Sequence, residues 1–121
     1  MSTALLVGIG LLGGVGAVGR FLLDRAVASR IRASFPLGTL AVNLSGALAL
    51  GVLVGATSDE DALRLLATGL LGAYTTFSTW AFESHRLAED GEPGLAGANF
   101  VLSLILGISL AWVGMRVGGA L

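Results

Sequence analysis

The chain has 121 residues, 55% hydrophobic and 12% charged, with a formal net charge of −1 and a mean hydropathy of +0.87. A soluble domain carries roughly 25% charged residues, so this composition fits an integral membrane protein, and the length suits one domain spanning 1–121. The near-neutral charge excludes a basic nucleic-acid face, the absence of cysteine excludes disulfides and thiolate metal sites, and a lone histidine, His85, excludes an imidazole cluster.

Four apolar runs follow in chain order, at about Ala4–Leu23, Leu37–Ala56, Ala62–Phe82 and Leu95–Val117. Each is near the roughly 20 residues needed to cross a hydrocarbon core, which predicts an all-α membrane protein with four short-looped spans. The first run has no positive leader and is longer than the apolar core of a signal peptide, so it reads as a retained span. Inside it GIGLLG, Gly8–Gly13, matches a dinucleotide fingerprint in letters only, because no strand precedes it and no acid follows at the required spacing. Glycine accounts for 19 residues, spread through the apolar runs. The pairs Gly10/Gly14, Gly51/Gly55 and Gly114/Gly118 each satisfy GxxxG and predict close helix packing.

The stretch Asp24–Pro36 reads as a short interfacial segment in which Arg25, Ser29 and Arg32 share a helical face, with Pro36 opening the next helix. In the second run Thr39 and Asn43, four apart, face the same way. They serve either an interhelical hydrogen bond or an ion path. Asn43-Leu44-Ser45 is a glycosylation sequon in form, but a site within a span is out of reach. Ser58 or Asp59 is the expected N-cap of the third run. Asn99, Ser103, Gly107 and Ala111 form a stripe along the fourth, readable as a packing seam or as the wall of a narrow polar track.

The third run is the anomalous one. GLLGAYTTFSTWAFE, Gly69–Glu83, places four Ser and Thr residues (Thr75, Thr76, Ser78 and Thr79) and two glycines where lipid favours plain apolar residues. A helix break near Gly72–Thr76 would free backbone groups, which is tolerable only inside protein or against a polar cavity. Transporter sites use such breaks, with freed carbonyls holding cations. Back-bonding of Ser and Thr within an intact helix is the alternative. Phe77 and Trp80 point to one face, and their electropositive edges suit an anion. Glu83 lies toward the membrane boundary, where an interfacial role suffices. Loops one and three carry Arg25, Arg30, Arg32 and Arg86, with Arg20 at the boundary, against Arg64 and Arg116 on the other side. That small surplus places both termini outside the cytoplasm and is compatible with insertion either way.

Three segments in order and spacing, GGVGAVGR (Gly13–Arg20), GTLAVN (Gly38–Asn43) and GAYTTFSTW (Gly72–Trp80), resemble the signatures of the Fluc/CrcB fluoride channels over essentially the whole chain. The resemblance implies a prokaryotic plasma-membrane channel that exports fluoride, built as an antiparallel, dual-topology dimer with the third helix of each subunit broken near its centre. It implies a structural Na⁺ at the dimer centre, held by main-chain carbonyls at Gly72 and Thr75. It further implies a fluoride path past Asn43, Phe77, Ser78, Thr79, Trp80 and Ser103, with Arg20 in a structural or vestibular role. The partners implied are fluoride, the bilayer and a second copy of the chain, or a paired homologue. Trp80 departs from the family, which usually has Phe there. Two rival classes are a proton-coupled small multidrug transporter and a non-transporting scaffold. The first needs an acid within its first span, where this chain has none before Asp24. No catalytic set supports an enzyme.

Overall fold

The computed structural model describes residues 1–121, which are all-helical apart from turns and short extended links. Helix α1 spans Thr3–Arg30, its first turn capped by Ser2, whose Oγ accepts from the Leu5 N–H at 3.1 Å. The sequence predicts a span ending at Leu23 and then a separate segment, whereas the helix continues unbroken to Arg30. Falling hydropathy does not end a helix: between Leu23 and Arg30 there is no Gly or Pro, and Ala and Arg are good helix formers. The chain turns extended only at Ile31, bends at Ser34–Phe35 and enters α2 (Leu37–Ala56) through Pro36. The bounds of α2 are those expected from the sequence.

Asp59 is the predicted cap, its Oδ2 accepting from the Ala62 N–H at 3.3 Å. The third apolar run is then assembled from pieces: α3 (Glu60–Ala62), a π-helical stretch π1 (Leu63–Leu71), α4 (Gly72–Tyr74) and, beyond a break, α5 (Phe77–Glu89). Wide winding persists to the end of π1, where the Gly72 N–H donates to the Ala67 carbonyl five residues back. Thr75 (ψ 159°) and Thr76 (φ −144°, ψ 117°) are extended, so the predicted break is present. A tight turn at Gly91, with φ +78°, leads to α6 (Pro93–Gly119), which has Pro at its start.

Helices α1, α2 and α6 are each long and apolar enough to cross a membrane. Glycine brings α2 and α6 into backbone contact. A Cβ at Gly51 or Gly55 would fall on the carbonyls of Ala111 or Met115, and one at Gly114 or Gly118 on those of Leu48 or Val52. Two of the three GxxxG pairs thus interlock as expected. The third does not, because Gly10 and Gly14 face open space within the subunit. The broken run changes partner across its break: π1 and α4 lie on α1, and α5 lies on α6. Thirteen of the 121 residues are buried, and only Val42, Trp80 and Leu87 are large apolar ones. Much of the apolar surface of this subunit therefore faces outward.

Candidate functional site

The break is held open by one side chain. In a continuous helix the Thr76 N–H would close on the Gly72 carbonyl, but it donates instead to Asn43 Oδ1 at 2.8 Å. Asn43 Nδ2 in turn donates to the Thr76 carbonyl at 3.0 Å. The Thr79 N–H, which would close on the Thr75 carbonyl, donates to Thr76 Oγ1 at 3.2 Å and so caps α5. Both carbonyls that the family resemblance would give to a cation, those of Gly72 and Thr75, are thus deprived of their ordinary helical donors. The Thr75 hydroxyl donates back to the Leu71 carbonyl at 3.0 Å, which ends α4 neatly.

Beside the break lies a recess of about 340 Å³. Six predicted residues meet on it, namely Asn43, Gly72, Thr75, Phe77, Trp80 and Ser103. Phe77 and Trp80 stand edge to face, with ring centroids 5.2 Å apart at 68°. Phe77 is 75% exposed and Trp80 only 6%. The indole is fixed from behind: Nε1–H donates to the Asn99 carbonyl at 3.1 Å, and the ring stacks on Phe100 at 4.8 Å. The donor that distinguishes Trp80 from a phenylalanine is thereby engaged with α6. Asn99, 1% exposed, donates to Ser84 Oγ at 2.7 Å, and Ser84 donates to the Trp80 carbonyl at 2.9 Å. Along the polar stripe of α6, Asn99 serves α5, while Ser103 lines the recess and donates its hydroxyl to Asn99 Oδ1 at 3.5 Å.

The remaining predicted residues lie elsewhere. Ser78 is exposed. Thr79 lines a separate void of about 10 Å³ together with Arg20, Asp24, Thr39 and Thr76. There Arg20 Nε is buried without a hydrogen-bond partner. Thr39, 4% exposed, donates its hydroxyl to Glu83, so that carboxylate ties α5 to α2 instead of standing free at the interface. Gly38 of the GTLAVN segment has a steric purpose, since a Cβ there would strike the Asp24 carboxylate.

Two contributors escape sequence reasoning. Gly46 lets α2 approach the break, because a Cβ on it would meet the Thr75 methyl and then the Tyr74 ring. Its position three residues after Asn43, on one helix face, is the signal that points to it. Tyr74 completes this wall with its hydroxyl 2.8 Å from Ser45 Oγ, a pairing across helices that no local pattern reveals.

An all-helical, multi-pass membrane protein with a mainly apolar recess, into which a few polar side chains reach, built on a broken helix is the class defined by these features. The chain belongs to the CrcB family, whose model, described as CrcB-like protein, Camphor Resistance (CrcB), matches residues 7–115. A Mycobacterium bovis relative named fluoride-specific ion channel FluC 2 is 49% identical over 117 residues, covering 97% of this chain and 93% of its own. Another FluC 2, from Moorella thermoacetica, is 43% identical over 116 residues, covering 93% and 95%. A FluC from a Geobacter species is 41% identical over 121 residues, covering 96% and 98%.

Proposed function

We propose that the chain is a fluoride-selective channel through which cytoplasmic fluoride leaves down its electrochemical gradient. The observation that carries this reading is the broken run beside a mainly apolar recess reached by the Asn43 amide, in a chain whose relatives are named fluoride-specific ion channels. Fluoride is small and holds its water tightly, so a path must replace that hydration with closely set donors. Asn43 Nδ2 carries two hydrogens and gives one to Thr76, leaving one for an anion. Ser103 adds a hydroxyl that would turn from Asn99 Oδ1, to which it donates at 3.5 Å, and Phe77 and Trp80 add electropositive ring edges. Ser78, Thr79 and Thr39 belong to the continuation of the path toward Arg20 and Glu83. Larger halides recover less per donor and fit less well. Hydrogen fluoride enters cells by diffusion and dissociates at cytoplasmic pH, which makes passive anion export useful without energy coupling.

In this reading the broken run is a fourth crossing, and two subunits pair antiparallel, either two copies or two homologues. The thirty residues Glu60–Glu89 would reach about 45 Å if wholly helical, which supports a crossing despite the break. The outward apolar surface and the 75% exposure of Phe77 support a partner that completes the recess. The Gly72 and Thr75 carbonyls, lacking helical donors, suit a hard cation such as Na⁺, and two from each subunit would give it about four oxygens. Such an ion would supply local charge and hold two breaks together.

Liposomes loaded with fluoride and carrying the purified chain test this reading. Efflux followed with a fluoride-selective electrode is expected, with chloride retained. Efflux no faster than from empty liposomes, or chloride leaving as fast as fluoride, overturns it. Light scattering on the purified protein reads the dimer, and its melting in sodium against choline buffer reads the cation. An unchanged melting temperature speaks against Na⁺.

A further inference from the structure

Helix α1 is longer than a bilayer requires. Its 28 residues reach about 42 Å, against a hydrocarbon core of about 30 Å. The surplus falls at its C-terminal end, which holds Arg25 and Arg30 and is followed in the extended link by Arg32, whereas Met1–Leu23 carries a single charged side chain, Arg20. All three arginines are exposed, and none takes part in an ion pair, the salt bridges being those of Arg64, His85 and Arg86. The nearest acid in the chain, Asp24, is half-buried against Gly38. The Arg25 guanidinium lies 5.9 Å over the Phe21 ring. Phe21 is 56% exposed and Ile31 54%, so apolar groups stand beside free cations at the level where acyl chains give way to headgroups.

Charge on this end of the molecule is sorted. Its loop acids, Glu89, Asp90 and Glu92, gather at the turn between α5 and α6, where His85 pairs with Glu89 and Arg86 with Asp90. At the opposite end Arg64 is already paired with Glu60 and Asp61. The C-terminal end of α1 and the link after it thus gather three guanidinium groups that make no direct ion pair, although Asp24 and Glu83 line a recess shared with Arg32. We propose that this region is a binding surface for anionic phospholipid headgroups, in which Arg25, Arg30 and Arg32 engage headgroup phosphates while Phe21 and Ile31 enter the acyl boundary. Guanidinium groups suit this occupant because their planar forks meet phosphate oxygens two at a time. This inference stands apart from fluoride conduction and needs only that α1 spans the bilayer.

The test uses the full chain in phosphatidylcholine vesicles containing trace spin-labelled phosphatidylglycerol or spin-labelled phosphatidylcholine. Electron paramagnetic resonance reads the fraction of each label held at the protein, and because both leaflets are labelled the orientation of the chain does not matter. The wild type is expected to prefer phosphatidylglycerol by roughly fivefold, the scale set by one arginine near an anionic surface, and to lose that preference as salt rises. The Arg25→Gln/Arg30→Gln/Arg32→Gln variant should hold the two labels equally, and Arg64→Gln/Arg116→Gln should keep the preference. An undiminished preference in the first variant overturns the proposal, as does a wild-type preference insensitive to salt or one lost equally in the second variant. Fluoride efflux measured on the same samples reports on the channel separately.

Discussion

The side-chain amide of Asn43 makes both hydrogen bonds of the Thr76 peptide, accepting from its N–H at 2.8 Å and donating to its carbonyl at 3.0 Å. One residue of α2 thereby substitutes for the helical neighbours that Thr76 lacks. The break in the third run depends on this pairing, because two extended residues inside a bundle would otherwise leave polar backbone groups unmatched.

Asn43→Asp should therefore abolish most fluoride efflux. It replaces the donating Nδ2 with an oxygen facing the Thr76 carbonyl, and an unsatisfied buried group costs about 1–3 kcal/mol. Hydrogen exchange should quicken at Thr76, whose N–H is held by this contact. Normal efflux with unchanged exchange at Thr76 removes Asn43 from both the path and the clamp.

Gly46→Ala should destabilise the protein by about 1–3 kcal/mol, the usual range for overpacking, because the new methyl meets the Thr75 methyl. Thr75→Ser alone should be mild, since it keeps the hydroxyl bond to the Leu71 carbonyl. Combining the two should restore much of the loss, because serine has no methyl at the point of conflict. Thermal melts of the four proteins decide the matter, and strictly additive effects rule out the contact.

How much of this was legible in the residues differs from element to element. The bounds of α2 follow from composition, because Pro36 acts locally, whereas the hydroxyl cluster marks Thr75–Thr76 as a candidate break that the Asn43 amide, from another helix, decides. The end of α1 does not follow from composition, since hydropathy reports where lipid stops and nothing in Asp24–Arg30 stops a helix. Asn99 reads as one member of a stripe, but its partner Ser84 comes from another helix and only packing brings them together. Glu83 looks interfacial until the Thr39 hydroxyl is found beside it.

Phe77→Ile should strongly reduce efflux while the protein elutes unchanged on size exclusion, since an aliphatic group lacks an electropositive edge. Trp80→Phe should still conduct. It loses the bond from the indole to the Asn99 carbonyl, worth about 1 kcal/mol, but keeps an aromatic edge. Undiminished efflux in the first variant takes the Phe77 ring out of the mechanism. Lost efflux in the second assigns the path to the indole itself.

Gly72 offers a test of the proposed pairing of subunits. Within the subunit a Cβ at this position would meet only the Ala67 carbonyl at 3.5 Å, an ordinary contact. Gly72→Val should leave the isolated chain helical by circular dichroism yet prevent its assembly, because the added Cβ meets no conflict within the subunit and the side chain then projects where a second break would lie. A fully dimeric, conducting Gly72→Val protein contradicts a close approach of two breaks.

With thirteen buried residues out of 121, this subunit fully encloses little of its own. Its folding free energy consequently has no natural zero in an isolated chain. The apolar faces of α1 and α6 are satisfied by whatever surrounds them, and a melting temperature will therefore describe the micelle, the lipid and the protein concentration as much as the sequence. Variants of this protein should be ranked only within one medium. A substitution that looks neutral in a long-chain detergent should reveal its effect when the same protein is moved to a shorter one.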